Sequence, residues 1–346
     1  MNKQKPTLPA EWSPVEAVLL SWPHVETDWD YMLPEVTSCF REIARAIIFR
    51  ARLIVVAPDI SVPKTHLAPL PQDRITYIEC PTNDTWARDF GPITTIMPDG
   101  TPVSNDFRFN GWGLKFAANY DNLITRRLAE SGILAGKYTN RLGFVLEGGS
   151  IESDGQGLLM TTSECLLSLN RNGEMSADAI DSYLREVFGV ERVLWVGHGF
   201  LAGDDTDSHI DTLARLAPDN TIIYTGCTDP DDIHYEALQA MAAQLRGMVN
   251  RDGKPFNLVE LPLPDAVYDR DDGSRLPATY ANFLFLNGAV LLPVYGQPLK
   301  DNHAIRVLEA ALPDYEIVPV DCRALIRQHG SLHCVTMQFP KNSVNL

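Results

Sequence analysis

The sequence predicts an α/β protein built from five similar units around a common axis. Short runs rich in Val, Ile, Leu and aromatic residues, typical of strands, alternate with longer segments whose apolar residues recur at three- and four-residue spacing, typical of helices. Segments rich in reactive side chains also recur, at intervals of 58, 62, 73 and 52 residues. A loose period of about 60 residues indicates a repeated supersecondary unit, and five such units fill the chain.

The predicted strands are four to seven residues long and come in close pairs. They comprise residues 17–22, 52–57, 75–79, 93–97, 143–146, 157–161, 193–196, 221–224, 257–260, 280–286, 289–293, 316–320 and 334–338. Predicted helices separate them at residues 34–50, 121–132, 176–188, 231–248 and 302–311. Because no Gly/Ser-rich linker, charge block or low-complexity segment marks a boundary, we expect residues 1–346 to form a single domain.

Composition limits the classes of partner. The 346 residues include 29 Lys and Arg against 45 Asp and Glu, which gives a formal net charge of −16. So acidic a surface repels phosphate backbones and anionic lipid head groups, which argues against nucleic-acid binding and membrane docking and favours small cations. No apolar run approaches the roughly 20 residues that a membrane-spanning helix requires.

The start of the sequence and its cysteines indicate a cytoplasmic protein. The N-terminus carries charge and leads into Pro9 and Glu11 rather than into the apolar stretch of a secretory signal. The six cysteines are scattered without a C-x-x-C pair, and a chain of this length buries a core without disulfides. We therefore expect no disulfide framework.

Five segments carry reactive side chains, and each adjoins a predicted strand. They are residues 84–89, 147–149, 207–211, 280–282 and 333–334. Because the polar loop falls at the same place in each unit, arranging the units about an axis brings all five loops together at its centre. The period therefore predicts one site assembled from distant parts of the chain.

Cys334 is a candidate nucleophile. It follows a turn of small residues, Gly330 and Ser331, which leaves room for a ligand close to the backbone. A nucleophilic cysteine needs cationic or hydrogen-bonding neighbours, or a positively charged substrate, to raise its thiolate fraction. The sequence alone leaves those neighbours open.

The run Asp207-x-His209-x-Asp211 places three polar side chains on one face if the segment is extended. Two interpretations stay open. In one, His209 is a general acid and base, and Asp211 holds a cationic group of the substrate. In the other, all three are ligands of divalent manganese, with Asp204 and Asp205 as further oxygen donors. A solvated acidic turn is the simplest alternative.

Two more segments place carboxylates beside strands. Glu147 ends a predicted buried strand and is followed by two glycines, a costly position for a carboxylate unless it binds something. Residues 83–92 combine Asp84 and Asp89 with an arginine and Trp86. The ring of Trp86 either packs in the core or lies against the stem or the cation of a ligand.

Five motifs, in order, resemble those of the agmatine deiminases and the related bacterial peptidylarginine deiminase-type proteins. They cover nearly the whole chain: Ser21-Trp22-Pro23-His24; Asn83-Asp84-Thr85-Trp86-x-Arg88-Asp89-x-Gly91-Pro92; Glu147-Gly148-Gly149-Ser150-Ile151; Thr162-x-Glu164-Cys165-Leu166-Leu167 with Asn170-Arg171-Asn172; and Leu332-His333-Cys334-Val335-Thr336-Met337-Gln338. The resemblance implies a pentein fold, a pseudosymmetric five-bladed α/β propeller of ββαβ-type units, with residues 1–346 as one catalytic domain. This agrees with the period found independently.

The resemblance also implies an activity, the hydrolysis of a guanidine through a covalent cysteine intermediate. The expected reaction is the deimination of agmatine to N-carbamoylputrescine and ammonia. At matching positions, Cys334 resembles the family nucleophile, and His209 and Glu147 resemble its acid–base pair. No metal or organic cofactor is expected.

The same resemblance assigns the substrate contacts. Asp89 and Asp211 resemble the carboxylates that hold the guanidinium, and Trp86 resembles a tryptophan that contacts the substrate. A small cationic guanidine is therefore the expected partner, and a homodimer is suggested by resemblance alone. The motifs depart from the usual family pattern at Ser208, at Glu152 and in the turn before Cys334, beside the reacting groups, so agmatine, free arginine and peptide-borne arginine all stay open as substrates.

The charge of the pocket favours agmatine among these substrates. Arg88 is the cation next to a proposed site residue, but on an extended segment it points to the face opposite Asp89. We therefore expect no cation at the substrate's tail, where the carboxylate of arginine would need one.

Two alternatives from other functional classes remain. A manganese-dependent ureohydrolase acting on the same substrate would release urea, but it needs a second set of His and Asp ligands, and Asp269-x-Asp271 lacks a partnering histidine. A non-catalytic polyamine-binding protein would keep the acidic pocket, but it gives no reason for Cys334 after a tight turn.

Overall fold

The computed structural model describes residues 5–346, so that Met1 to Gln4 of the predicted domain lie outside the described residues. Sixteen strands form within the described range. In chain order they are β1 Val15–Ser21, β2 Arg52–Ala57, β3 Ile75–Glu79, β4 Ile93–Ile96, β5 Pro102–Arg108, β6 Lys137–Val145, β7 Ile151–Ser153, β8 Leu158–Thr162, β9 Arg192–Val196, β10 Ala214–Ala217, β11 Thr221–Thr225, β12 Asn257–Leu261, β13 Leu284–Leu286, β14 Ala289–Val294, β15 Glu316–Asp321 and β16 Met337–Pro340.

Helices of one to four turns connect these strands. They are α1 Leu33–Ile48, α2 Ser61–Leu67, α3 Ala87–Phe90, α4 Gly111–Leu114, α5 Ile124–Glu130, α6 Ser163–Leu166, α7 Leu169–Asn172, α8 Ala177–Phe188, α9 Ile210–Leu213, α10 Tyr235–Gly247 and α11 Pro298–Ala311, with 3₁₀ turns at Asp30–Met32, Gln72–Arg74, Asp121–Leu123, Gly148–Ser150 and Leu325–Gln328. Within residues 5–346, none of the helices combines the length and the apolar character needed to cross a membrane.

The strands form five small sheets, four of which share one topology. In each of the four, the first strand pairs antiparallel with the second, and the second pairs parallel with the third; the orders are β4-β5-β6, β7-β8-β9, β10-β11-β12 and β13-β14-β15. A short turn suffices between antiparallel strands, whereas the parallel pair needs a crossover, which the helices supply. These are the ββαβ units expected from the sequence.

The fifth sheet joins the two ends of the chain. Its order is β16-β1-β2-β3, with β16 antiparallel to β1 and β1 parallel to β2. Leu19 pairs with Met337 and Val18 with Gln338. The C-terminal strand thus takes the place of the first strand of a unit, and the five-bladed propeller closes on itself. Cys334 is carried into the site by this closure.

Apolar periodicity explains why the predicted elements form. In α1, Val36, Phe40, Ile43 and Ile47 recur at helical spacing and are fully buried, and a proline occupies the first turn, where its missing N–H costs nothing. The central strand β2 is buried along almost its whole length, as expected for a parallel strand covered on both faces.

Three strands were not predicted from the sequence: β5, β7 and β10. The reason is clearest in β5, where Ser104, Asn105 and Asp106 are buried although they are polar. Asn105 satisfies its amide by donating to Ile93 O at 2.9 Å. A buried strand with polar side chains carries no hydrophobic signal, so only its tertiary hydrogen bonds reveal it.

Two predicted strands begin three or four residues later than expected. The predicted segments 280–286 and 334–338 are extended only from Leu284 and Met337. The residues just before them form turns that are held by the side chain of Asn282, whose Oδ1 accepts hydrogen bonds from the backbone N–H of His333 at 2.9 Å and of Cys334 at 3.4 Å. Cys334 therefore lies in a turn, three residues before its strand.

Closure by β16 can be tested through Phe339, which is fully buried, with Leu299 of α11 as a control that is 89% exposed. We expect Phe339→Ala to lower the free energy of unfolding by about 3–5 kcal/mol, because it leaves a cavity in the closing sheet. Leu299→Ala should change it by less than about 0.5 kcal/mol. Urea unfolding followed by tryptophan fluorescence measures both, and equal effects would contradict a structural role for β16.

Candidate active site

The five segments rich in reactive side chains lie in turns, each just before the first strand of a sheet. A polar residue of each turn lies two to four positions before the start of that strand: Asp89 before β4, Glu147 before β7, Asp211 before β10, Asn282 before β13 and Cys334 before β16. The equivalent place in all five units confirms the regularity seen in the sequence. It also explains how residues 245 positions apart share one centre.

Hydrogen bonds join the turns to one another. The Gly149 N–H donates to Asp89 Oδ1 at 3.0 Å, which links the turn before β7 to the turn before β4. Asn282 Nδ2 donates to Asp211 O at 3.4 Å, and Asn282 O accepts from the His333 N–H at 3.2 Å. Each turn is therefore fixed by its neighbours as well as by its own strand.

Cys334 is buried, with 5% of its surface exposed. Its Sγ lies 3.4 Å from Asn282 Oδ1 and 3.8 Å from Asp211 Oδ2. Burial, together with the charges of Asp211 and Asp89, raises the pKa of the Cys334 thiol well above its ordinary value. In the free protein the sulfur is therefore protonated near neutral pH.

Asp89 and Asp211 are both buried, but their pKa values shift in opposite directions. Asp89 accepts hydrogen bonds from Trp112 Nε1 at 2.9 Å and from Gly149 N, and burial raises the pKa of Asp89. Burial also acts to raise the pKa of Asp211, but the hydrogen bond and charge of His333, with Nδ1 2.7 Å from Asp211 Oδ2, outweigh it and leave that pKa below its ordinary value. Asp211 Oδ1 has no partner among the described residues, so a cationic ligand would satisfy it.

His209 is buried, and neither of its ring nitrogens has a hydrogen-bond partner in the described part of the chain. Its Nδ1 lies 3.7 Å from Asp89 Oδ1. A carboxylate oxygen of Glu147, a ring nitrogen of His209 and Cys165 Sγ all lie within 4.8 Å of one another. Glu147 itself accepts from Arg171 Nε at 2.9 and 3.1 Å. Glu147 and His209 are thus close, but no direct hydrogen bond joins them.

Two glycines leave space that the site requires. A Cβ at Gly149 would lie 2.7 Å from His209 Nδ1, 2.9 Å from Asp89 Oδ1 and 3.0 Å from Asp211 Oδ2. A Cβ at Gly330 would lie 2.2 Å from Cζ3 of Trp86. Gly149 therefore lets three polar side chains converge, and Gly330 lets the indole lie against the turn before the cysteine.

A pocket of roughly 440 Å³, open to solvent, leads to Cys334. Its wall is acidic and aromatic: Asp28, Asp84, Trp86, Asp89, Trp112, Phe116, Asp205, Thr206, Gln328, His329 and Gly330. Of the six residues predicted from the sequence, Cys334, Asp89 and Trp86 line this pocket. Glu147, His209 and Asp211 are buried around the same centre, where Asp211 contacts Cys334 and His209 lies near Asp89.

The prediction of an extended Asp207-x-His209-x-Asp211 segment was wrong. Asp207 has φ of +62°, and Asp211 lies in the helical turn α9, which His209 precedes. The left-handed backbone turns Asp207 outward, where its carboxylate contacts Arg171 at 2.5 Å and Lys115 at 2.6 Å. Asp207 therefore does not share a face with the other two residues.

Arg88 is directed away from the pocket, as predicted, but it lies in the helical turn α3 rather than in a strand. Its guanidinium contacts Gln338 and lies on the opposite side of the turns, beside Glu11 and Glu152. Successive helical side chains diverge by about 100°, which is enough to separate Arg88 from Asp89.

Arg171 belongs to a motif named from the sequence, but its contact with Glu147 was not predicted. Its side chain has no exposed surface and pairs with both Glu147 and Asp207. Trp112, which donates to Asp89, was also missed, although its position between two glycines was a signal of an unusual backbone. It has φ of +55° in α4. The sequence neighbours of the predicted site residues therefore did not reveal the cation that contacts Glu147.

Two clusters in the described part of the chain bring three possible metal ligands within 4.8 Å of one another. They are Glu147, Cys165 and His209, and Glu11, Glu152 and His333. In both clusters an arginine already pairs with the carboxylates: Arg171 in the first and Arg215 in the second. A divalent cation would have to displace that pairing, so neither cluster is a favourable metal site.

The propeller, with a cysteine, a histidine and carboxylates at its axis, defines a protein of the pentein class. Within that class the chain belongs to the Porphyromonas-type peptidyl-arginine deiminase family, whose sequence profile matches residues 7–340. The chain is also 32% identical over 357 residues to the agmatine deiminase of Stutzerimonas stutzeri (strain A1501), an alignment that covers 96% of this chain and 95% of that protein.

Among solved structures, this chain is similar to other deiminases over nearly its whole length. A Porphyromonas gingivalis protein named as a candidate arginine deiminase is 52% identical, with a TM-score of 0.94 over 99% of this chain and 100% of that one. Campylobacter jejuni agmatine deiminase, solved as a Cys-to-Ser variant with substrate bound, is 37% identical, with a TM-score of 0.89 over 97% and 96% of the two chains. The amidinotransferase SxtG of Microseira wollei, 11% identical with a TM-score of 0.52 over 99% of each chain, shares the fold alone.

The need for space at Gly149 gives a direct test of the site. Gly149→Ala places a methyl group among His209, Asp89 and Asp211, so we expect kcat/KM for guanidine hydrolysis to fall by at least about 10²-fold, the usual cost of misplacing reacting groups by about 1 Å. Gly143→Ala is the matched control, because a Cβ there meets nothing within 4 Å. Steady-state ammonia release measures both, and similar losses would contradict the assignment.

Proposed function

We propose that this protein hydrolyses the guanidine group of agmatine to N-carbamoylputrescine and ammonia, through a covalent intermediate on Cys334. One observation carries the proposal: the buried Cys334 thiol lies beside Asp211, whose Oδ1 has no partner in the described part of the chain, with Asp89 in the same cluster. The names of the agmatine deiminases among its relatives support the choice of substrate.

The carboxylates suit a guanidinium because it is a planar cation with several N–H donors. Asp211 Oδ1 is free to accept one N–H, and Asp89 supplies a second carboxylate on the same cluster. Paired carboxylates hold such a cation in a fixed orientation, which places its central carbon for attack. The ring of Trp86, on the pocket wall, would lie along the substrate's stem.

The reaction proceeds in two halves. The Cys334 sulfur attacks the central guanidinium carbon, the resulting tetrahedral intermediate loses one nitrogen, and His209 gives that nitrogen a proton so that it leaves as ammonia. A thiouronium remains on the sulfur. Water then attacks the same carbon and gives one proton to His209. The C–S bond breaks with its electron pair on sulfur, the remaining proton of the added hydroxyl passes to solvent, and the N-carbamoyl product and the Cys334 thiolate are released.

Substrate binding supplies the charge that ionises the thiol. Asp89 and Asp211 both contribute to the raised pKa of the Cys334 thiol. A guanidinium between these carboxylates offsets their charge, so the thiolate forms when the substrate is bound. The Cys334 sulfur would then be in its reactive thiolate form chiefly in the enzyme–substrate complex.

Glu147 is proposed to help bind the substrate and to place a carboxylate group near His209. Its carboxylate is held by Arg171 rather than by His209, so it does not orient the imidazole through a direct bond. The ion pair holds the buried carboxylate of Glu147 within 4.8 Å of a ring nitrogen of His209, beside the proposed reacting groups.

The pocket wall favours a cationic tail. Asp28, Asp84, Asp89 and Asp205 all line it, and no Lys or Arg does so among the described residues. Burial raises the pKa of Asp84 to about 6, which leaves this carboxyl largely ionised at neutral pH. The amine of agmatine meets negative charge here, whereas the carboxylate of arginine would be repelled.

An arginine or a peptide-borne arginine is the second candidate substrate. One observation favours it: Lys115 Nζ lies 2.6 Å from both Asp205 O and Asp207 Oδ1, and Asp205 lines the pocket. If Lys115 swung away from Asp207, it would offer a cation to a carboxylate tail. The ureohydrolase alternative is disfavoured because Arg171 and Lys115 already pair with Asp207, one of its required ligands.

The covalent mechanism can be tested with Cys334→Ser, which retains the size of the side chain but not its acidity. We expect at least about 10⁴-fold loss of ammonia release from agmatine, because a hydroxyl in this site lacks an ionised form. Quenched wild-type protein should show a substrate adduct by intact-mass analysis, and the variant should lack it. Cys165→Ser is the control, since that thiol is also buried near His209 but has no proposed role.

Three outcomes would overturn this proposal. Full activity in Cys334→Ser would exclude the covalent route. Release of urea instead of ammonia, lost with EDTA and restored by manganese, would establish a ureohydrolase. Agmatine binding by calorimetry without turnover of any guanidine would establish a binding protein.

Substrate choice gives a separate prediction. We expect kcat/KM for agmatine to exceed that for arginine by at least about 10³, because placing an unpaired carboxylate among buried carboxylates costs several kcal/mol. The preference should narrow below about pH 6, where Asp84 gains a proton and loses its charge. The opposite result would be comparable kcat/KM values for the two substrates, with the value for arginine reduced by Lys115→Ala. It would show that Lys115 binds the carboxylate tail, and arginine would then replace agmatine as the assigned substrate.

The remaining expectations stay predictions. They are a single catalytic domain over residues 1–346, a cytoplasmic location, a homodimer, no binding of nucleic acid or membranes, and no metal or organic cofactor.

A further inference from the structure

A second buried network lies behind Asp211 and is centred on the ring of His333. His333 Nδ1 lies 2.7 Å from Asp211 Oδ2, and Nε2 lies 2.6 Å from Glu11 Oε2. The exposed fractions of the three side chains are 1%, 0% and 10% for His333, Asp211 and Glu11. Each ring nitrogen therefore meets a carboxylate oxygen away from bulk water.

Glu11 is itself fixed from two sides. Its Oε1 accepts from the Phe285 N–H at 2.9 Å, and its Oε2 lies 2.5 Å from Arg215 Nη2. Burial acts to raise the pKa of Glu11, but Arg215 and His333 outweigh it and hold that pKa well below its ordinary value. Glu11 is thus a fixed, ionised carboxylate at the far end of the ring from Asp211.

We propose that Glu11 is a positioning residue that acts through His333 on Asp211. With both carboxylates ionised, the two short contacts of His333 are hydrogen bonds donated by both ring nitrogens. The ring is then clamped between them, Asp211 Oδ2 is occupied, and Asp211 Oδ1 is the oxygen left for the guanidinium. This inference rests on the proposed function and adds to it a residue that does not touch the substrate.

The same clamp orders the nucleophile. His333 directly precedes Cys334, and Asn282 holds the backbone N–H groups of both residues. Fixing the His333 ring from Asp211 and Glu11 therefore limits the motion of the whole turn. One histidine aligns the carboxylate that receives the substrate with the sulfur that attacks it.

Glu152 provides a matched control. The charged groups close to the His333 ring are Asp211, Glu11, Arg215 and Glu152. Arg215 Nη2 lies 3.2 Å from His333 Nε2, and Glu152 has a carboxylate oxygen within 4.8 Å of a ring nitrogen. Glu152 pairs with Arg215 Nε at 2.6 Å but makes no hydrogen bond to His333 in the described structure. Glu11→Gln and Glu152→Gln each deprive Arg215 of one carboxylate, and only the first changes the partner of the ring.

Kinetics separates positioning from simple loss of folded enzyme. We expect Glu11→Gln to raise KM for agmatine about tenfold, the lower end of the usual cost of losing an outer-shell partner, and to lower kcat as well, because the turn that carries Cys334 loses part of its support. Glu152→Gln should leave KM within about twofold. A merely structural defect reduces the active fraction and hence the maximal rate, not KM. Equal shifts of KM in the two variants would overturn the proposal.

Nitrogen-15 spectra of the protein with labelled histidine give a readout that needs no substrate. The signals of His333 are identified as those that disappear in the variant His333→Gln. In the wild type and in Glu152→Gln, both ring nitrogens of His333 should give the signals of N–H groups that donate to a carboxylate, and the Nε2 signal should shift in Glu11→Gln, where an amide replaces that carboxylate. An unchanged ring in Glu11→Gln would overturn the clamp. If no guanidine is turned over, the proposed function fails, while this spectrum still decides whether Glu11 controls the ring.

Discussion

Burying several carboxylates around one point is the constraint on which this structure depends. A carboxylate out of water is costly unless charges or hydrogen bonds offset the loss of hydration. Here each has its own partners: Arg171 for Glu147, His333 for Asp211, and the Trp112 and Gly149 N–H groups for Asp89. Arg215 plays the same part for the deeper pair, Glu11 and Glu152. The site therefore stays strongly acidic, and among the described residues one oxygen of Asp211 is left without a partner.

The propeller makes this convergence possible because every unit delivers one turn to the axis. The hydrogen bonds between turns fix distances that a single loop would leave loose, and closure by β16 brings Cys334 beside residues from the other units. The same crowding raises the pKa of the Cys334 thiol, so the geometry proposed to bind a cation also restrains the proposed nucleophile. In the proposed mechanism, a cationic substrate would remove this restraint where it binds. Substrate selectivity and the reactivity of the thiol would then share one electrostatic origin.

The differences between sequence and structure arise where local pattern and tertiary contact disagree. The Asp207-x-His209-x-Asp211 run has the spacing of a strand face, yet Asp207 adopts a left-handed backbone that favours its ion pairs with Arg171 and Lys115. Strand β5 was missed because its buried polar side chains mimic a loop. The periodicity of apolar residues indicates burial against an apolar core, but it gives no signal where polar groups are buried against one another.

By itself, the sequence determined the α/β class and the five-unit period, which follow from short-range patterns. Its motifs, through their resemblance to a known family, also named Cys334, His209, Glu147, Asp89 and Asp211 as predicted site residues. Only the tertiary structure decided which groups neutralise those residues. No spacing shows that an arginine 24 residues beyond Glu147 pairs with it, or that a glutamate 322 residues before His333 contacts its ring. Such pairings depend on how the units close around the axis, because charge compensation in a buried site acts over a few ångströms of space and not along the chain.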